Sequence, residues 1–330
     1  MTRRDGAGLI LLFGMPRSGT TWVAKILDSH PETLYRHEPD SRHLLQGVPL
    51  FPARGEWDGL APALRRYAAA LPRMRDVRTC GKLPIFPKRH LGPGRGVLLR
   101  AGVVAAKAAA RAGLDLPVPG AAWGADTPGV RLVWKSIESL GRLGALRHAL
   151  PDAVSVHILR HPCGYAASVA RGEAGGRFTG AGTAAEDWGI FEMLLKTDAA
   201  RRRGLRMEHL RGASPWQRLA WRWVLTNEKA LDDLEGAAGH RLLVYERLCE
   251  APAEEARALL AHCGLGWHEQ TAAFVAASTG GHDRGYYSVV KDPRRSAWGW
   301  REELPAGAVE AILAVTADSP AFRPYAEGGA

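Results

Sequence analysis

The sequence has few cysteines and spaces them widely: Cys80, Cys163, Cys249 and Cys263 form no CxxC pair and have no histidines at metal-ligand spacing. That pattern predicts reduced thiols, no disulfide framework and no metal. A long apolar, charge-free run is also missing, so no membrane span is expected. There is no internal repeat and no low-complexity linker. The N-terminal MTRRDGAG runs straight into an apolar strand and leaves no room for a cleaved secretory signal, from which a cytoplasmic location is expected. Lysine is scarce, 8 residues beside 36 arginines, and the net charge is +10. Such a surface favours anionic partners, either nucleic acid or a small polyanionic cofactor.

A chain of 330 residues with 46% apolar and 24% charged residues is globular and long enough to bury a large core. Short apolar runs at Leu9–Phe13, Thr33–His37, Val130–Trp134, Val154–Leu159 and Leu242–Tyr245 alternate with helical segments. LILLF, VRLVW and RLLVY are nearly continuous apolar runs, as strands buried on both faces should be. The expectation is an α/β fold, a three-layer sandwich around a central parallel sheet. It is read as a single domain over residues 1–330 with irregular insertions at Ser41–Gly129 and Gly172–Gly212.

The first insertion carries a helix expected near Gly96–Gly113. Its cations Arg95, Arg100, Lys107 and Arg111 stand among small apolar residues, a pattern shared by membrane-surface helices. It lacks aromatic anchors, so a surface helix packed on the domain is expected instead. The basic RRRGLR of the second insertion is read as a solvated face. After it, Ser214, Pro215 and Gln217 make an S-x-x-Q capping box, and Trp216, Leu219, Ala220, Trp223 and Val224 repeat at core spacing.

Two stretches carry chemistry. LILLFGMPRSGTTW is an apolar strand, a glycine turn and a helix start, which offers unpaired backbone N–H groups to an anion. Gly14 and Gly19 keep the spacing of a nucleotide triphosphate loop, GxxxxGK[ST], but Thr20 stands in place of the lysine that reaches the β/γ-phosphates. The cradle of Arg17, Ser18, Gly19, Thr20 and Thr21 therefore suits another terminal group, with Trp22 behind it as a face for a purine. In VSVHILRHPCGYAASVARGE a strand ends at Leu159, with Arg160 at its carboxyl end and Ser168 on the helix that follows. Ligands of open α/β sheets gather there, so this pair is placed to hold a second phosphate.

Together these motifs resemble the sulfotransferase family that uses 3′-phosphoadenosine 5′-phosphosulfate (PAPS), with its P-loop-like fold. PRSGTTW is similar to that family's 5′-phosphosulfate loop and LRHPCGYAASVARG to its 3′-phosphate motif. WKSIESLGRL and VYERLCEAP follow the family's order along the chain. The resemblance implies that Arg17, Ser18, Gly19, Thr20 and Thr21 bind the 5′-phosphosulfate and that Trp22 lies near adenine. It implies that Arg160 and Ser168 take the 3′-phosphate and that Tyr245 lies close to the nucleotide. KDPRRSAWGWREEL resembles a late cofactor loop in which Arg294 or Arg295 adds a contact, although the two arginines equally fit a solvated turn.

Transfer of a sulfuryl group to a hydroxyl needs cations for the leaving phosphate and a base for the acceptor proton. Arg17 and Lys135 are the candidate cations. Small-molecule members carry a histidine two residues after that lysine, where this chain has Ile137. Carbohydrate-type members use a glutamate soon after the first helix, which SHPETLYRHEPDS resembles, so Glu38 is the candidate base and Glu138 the reserve. His37 is set aside because strand alternation points it away from Glu38. The resemblance implies a small-molecule hydroxyl acceptor, the carbohydrate-type glutamate points to a sugar-bearing one, and no nucleic-acid partner is expected. The alternatives are a small-molecule kinase, which needs the missing lysine, and a nucleic-acid binding module, which needs aromatics interleaved with the basic residues.

Overall fold

The computed structural model describes residues 6, 8–176, 182–280 and 292–326. Five parallel strands, β1 (Leu9–Gly14), β2 (Thr33–His37), β3 (Arg131–Ser136), β4 (Val154–Leu159) and β5 (His240–Val244), form one sheet in the order β2-β3-β1-β4-β5. The central strand β1 is buried along its whole length, which is why it reads as an unbroken apolar run. Its side chains alternate between two cores. Ile10 and Leu12 meet Val23, Ile26 and Leu27 of helix α1 (Thr20–Ser29) together with Leu259 and Leu260. Leu9, Leu11 and Phe13 meet Leu143, Leu146, Trp223 and Val224 on the other face. Helices therefore cover both faces, the α/β sandwich expected from the strand pattern. Burying each such side chain contributes about 1.5–3 kcal/mol.

Strand positions agree with the sequence reading to within a few residues. β3 runs on through Lys135 and Ser136, both buried: Lys135 is paired with β1 and β2, and Ser136 with β1. The polar character of those two residues made the strand look shorter. The insertions are less irregular than expected. The first contains the expected helix, at Gly92–Arg111, and a further one at Trp57–Ala70, and the second contains Trp188–Leu194, Asp198–Arg202 and Met207–Gly212. Leu60, Leu64 and Ala68 supply the helical period of Trp57–Ala70. The RRRGLR cluster is not simply solvated: Arg203 pairs with buried Glu228, and Arg202 with Asp232.

Helix Pro215–Leu234 starts as its sequence predicts. Gln217 N–H donates to Ser214 Oγ at 3.3 Å, and Ser214 N–H donates to Gln217 Oε1 at 2.9 Å. Trp223 and Val224 lie in the core, and Trp216 is only partly covered.

The strand register sets the site. His37 pairs with Lys135, Lys135 with Leu12, Gly14 with Ile158, and Leu159 with Val244. All five strands thus end at one edge. Glu38, the Met15–Gly19 loop, Arg160 and Tyr245 are the residues that directly follow β2, β1, β4 and β5 there.

Candidate active site

The loop between β1 and α1 is held by two close approaches. Gly14 lies so near β4 that a Cβ would stand 2.8 Å from the Ile158 carbonyl oxygen. Gly19 has φ +81°, and a Cβ there would enter the Tyr245 ring at 2.2 Å. Arg17 is also left-handed, at φ 72°, which costs a non-glycine residue about 1–2 kcal/mol unless its surroundings hold it. Here they do. Arg17 Nε donates to Ser168 Oγ at 3.0 Å, and Arg160 Nη1 donates to the Arg17 carbonyl at 2.7 Å. The loop and the strand-end motif, far apart in sequence, form one unit.

Arg160 is buried, donates through Nη2 to the Ser296 carbonyl at 2.6 Å, and lies 5.0 Å from the Tyr245 ring centroid. Its Nε is buried and has no hydrogen-bond partner among the described residues. α1 begins at Thr20 with Gly19 as its N-cap, so its first amides have no intrahelical acceptor and face the loop. Ser18, Thr20 and Ser168 are buried beside them, and Thr21 is half-buried. Arg17, Ser18, Thr20, Thr21, Arg160 and Ser168 contribute hydroxyls and guanidinium groups and no carboxylate, a donor set that fits a polyanion. Trp22 Nε1 donates to Ser278 Oγ at 3.0 Å, and its ring meets Tyr245 edge-on with centroids 6.1 Å apart.

Arg294 and Arg295 sit exposed on the short helix Pro293–Trp298, whose Ser296 carbonyl is the part that reaches the site. Lys291, which opens that stretch, lies outside the described residues.

At the other end of the edge, Glu38 Oε1 accepts a hydrogen bond from the buried Lys135 Nζ. The Glu38 amide donates to the Lys135 carbonyl at 2.8 Å. Burial pulls the Lys135 ammonium below its usual range, and the Glu38 carboxylate opposes that shift. Glu38 Oε2 makes no hydrogen bond among the described residues, and the side chain is 24% exposed.

One expectation is corrected here. His37 does not point away: its Nε2 lies 3.8 Å from Glu38 Oε1. Glu38 has φ 46°, outside the extended region, so the alternation of β2 stops before it. Burial, and then the Lys135 charge, hold His37 neutral, and its Nδ1 meets the Tyr35 hydroxyl at 2.6 Å. Glu138 reaches solvent, yet enough protein surrounds it that desolvation, followed by the charges of Asp40 and Glu38, pushes its carboxyl up.

Several supporting residues were not foreseen. Buried Asp40 accepts from the hydroxyls of Ser136 and Ser139 and, at 3.3 Å, from Trp134 Nε1, which ties down the turn after β3. Helix Pro215–Leu234 braces the other motifs from below: Trp223 Nε1 donates to the Arg160 carbonyl at 2.9 Å, and Asn227 Nδ2 contacts Met15 Sδ at 3.3 Å. Asn227 does carry a sequence signal, a polar residue on the apolar face of an amphipathic helix.

Glu246, next to Tyr245, is buried; it accepts from the His161 amide at 2.9 Å and from the Tyr325 hydroxyl at 3.1 Å. Desolvation pushes its carboxyl up to about 7, against the pull of Arg160. An acid raised from the ordinary 4.5 costs nothing below that pH, destabilises the fold progressively as pH rises toward 7, and then levels off. The full cost is about 3 kcal/mol. Glu246→Gln should flatten this fall while leaving stability near pH 4.5 little changed. Urea unfolding of both proteins between pH 4.5 and 8 checks it, and equal pH slopes would refute the assignment.

Comparison with known proteins adds the family. A model of the sulfotransferase family matches residues 10–269. No curated protein matches the chain. Among solved structures, the sulfotransferase domain of the Synechococcus PCC 7002 olefin synthase is 18% identical, covers 96% of this chain and 97% of its own, and has a TM-score of 0.41. The sulfotransferase domain from the curacin biosynthetic pathway is 15% identical over 94% and 97%, with a TM-score of 0.43. A sulfotransferase from Alicyclobacillus acidocaldarius is 16% identical over 95% and 98%, with a TM-score of 0.38. Because the family match runs from β1 past the last strand of the sheet, the chain belongs to the sulfotransferase family.

Proposed function

We propose that this protein moves a sulfuryl group from PAPS to a hydroxyl of a small-molecule acceptor, within a single domain. The observation that supports the reading is the junction of Arg17, Ser168 and Arg160, which joins the two motifs proposed here to bind the nucleotide's anions at the end of the sheet. PAPS would supply the activated sulfuryl group and an adenosine bisphosphate leaving group. Ser18, Gly19, Thr20, Thr21 and Arg17 would hold the 5′ end, Arg160 and Ser168 the 3′-phosphate, and Trp22 and Tyr245 the neighbourhood of adenine. Arg294 or Arg295 would reach the 3′-phosphate only by a side-chain turn, since both are exposed.

Lys135 and Arg17 would meet negative charge as it grows on the leaving phosphate, and Glu38 would take the acceptor proton on its free oxygen. The position of Glu38 after β2 supports a sugar-bearing acceptor, with residues 41–129 and 172–212 as its walls. The missing loop lysine, with Thr20 in its place, weighs against a kinase.

A thermal-shift comparison of adenosine 3′,5′-bisphosphate, ATP with Mg²⁺ and single-stranded DNA tests the reading. The bisphosphate should give the largest shift; a larger shift with ATP or DNA would replace the proposal with a kinase or a nucleic-acid binder. Arg160→Ala should weaken the bisphosphate by about 1.5–3 kcal/mol more than adenosine 5′-phosphate, the value of a charged hydrogen bond. Arg160 also braces the Arg17 carbonyl, so both ligands should lose some affinity. Titration calorimetry decides: equal losses for the two ligands would remove Arg160 from the 3′-phosphate.

A further inference from the structure

Helix Gly92–Arg111 is apolar on two sides. Gly102, Val103 and Ala106 are buried and pack with Val77, Val118 and Ala121. On the opposite side Val97, Leu98 and Val104 are 65%, 60% and 65% exposed. At 3.6 residues per turn, Ala101, Ala105 and Ala108 fall between them, so the outward stripe is continuous over three turns. Among the described residues, every exposed large apolar side chain except Trp267 falls in residues 41–129, including Leu114 and Leu116 just beyond this helix. Arg100, Lys107 and Arg111 line one edge of the stripe, whereas Arg95 lies over the Trp123 ring on another side. From Val77 to Leu114 there are eight Lys or Arg and no Asp or Glu.

We propose that this face docks on an anionic lipid surface, lying in the plane of the interface with the Val97–Leu98–Val104 stripe inserted and the basic edge at the headgroups. Apolar area and cations along one helix are what such a surface recognises. A second copy of the chain fits poorly. A two-fold contact brings the same patch against itself and would set Arg100, Lys107 and Arg111 against their own counterparts, with only Asp115, already paired with Arg42, as an acidic residue nearby. The inference is independent of the reaction proposed above, and its test reads no turnover.

The full chain is sedimented with phosphatidylcholine vesicles and with phosphatidylcholine–phosphatidylglycerol vesicles, at low and high salt. Partition should be about tenfold or more stronger on the anionic vesicles and should fall with salt. Leu98→Asp with Val104→Asp, and separately Arg100→Glu with Arg111→Glu, should each abolish most of that binding while thermal melting stays near that of the parent, because these side chains face outward. Light scattering is recorded in parallel. Binding that is equal on both vesicles, absent from both, or unchanged in the variants would overturn the proposal. So would a dimer in solution that dissociates in Leu98→Asp/Val104→Asp without any vesicle binding, which would assign the face to a second copy.

Discussion

Glu38→Gln is expected to lower single-turnover sulfate transfer by about 10²–10⁴-fold while leaving affinity for adenosine 3′,5′-bisphosphate nearly unchanged. Glutamine keeps the shape and can still accept the hydrogen bond of Lys135 through its amide oxygen. What it loses is the basic oxygen that would receive the acceptor proton. Glu138→Gln should be milder. Glu138 lies on the exposed turn that Ser136, Ser139 and Asp40 hold, whereas Glu38 is the carboxylate paired with Lys135. Near-normal transfer by Glu38→Gln together with a collapse in Glu138→Gln would move the base to Glu138 and remove support for a sugar-type acceptor.

Loss of Lys135 should cost about 10²–10³-fold in turnover, the usual effect of deleting one preorganised charge that meets the transition state. Lys135→Met is the better variant, because its unbranched side chain fills the buried space and limits the cavity that alanine would leave. It also leaves Glu38 without its cation, so a melting temperature lowered by a few degrees is expected. The informative measurement is the double variant Lys135→Met/Glu38→Gln. If the two groups act as one catalytic unit, the double variant should be little worse than the weaker single variant. If the pair only fastens β2 to β3, both single variants would lower the melting temperature and leave transfer close to that of the parent protein. That outcome would end the catalytic assignment for both residues.

How far these assignments could be read without coordinates depends on the range of the interactions involved. The five strands, the loop glycines, the capping box at Ser214 and the Arg160–Ser168 spacing follow from local rules. Apolar runs mark strands, and a glycine marks a turn that an L side chain cannot enter. Those features were in the sequence, and with them the family. Helix Gly92–Arg111 was legible as well, but helices Trp57–Ala70, Trp188–Leu194, Asp198–Arg202 and Met207–Gly212 were not, since packing rather than propensity stabilises such segments.

Contacts between distant segments were decided only by the tertiary structure. The Arg17–Ser168 bond and the Glu38–Lys135 pair join residues 151 and 97 positions apart, and nothing local specifies either. Asp40 has no local sequence signal; burial is what gives it two hydroxyls and an indole to hold. His37 shows the limit most clearly. Alternation along β2 assigns it to the side away from Glu38, but the left-handed backbone at Glu38 turns that carboxylate back toward Lys135 and the His37 ring. Sequence determined which residues stand at the ends of the strands. The direction in which each one points was set by backbone angles that only close packing of the sheet edge enforces.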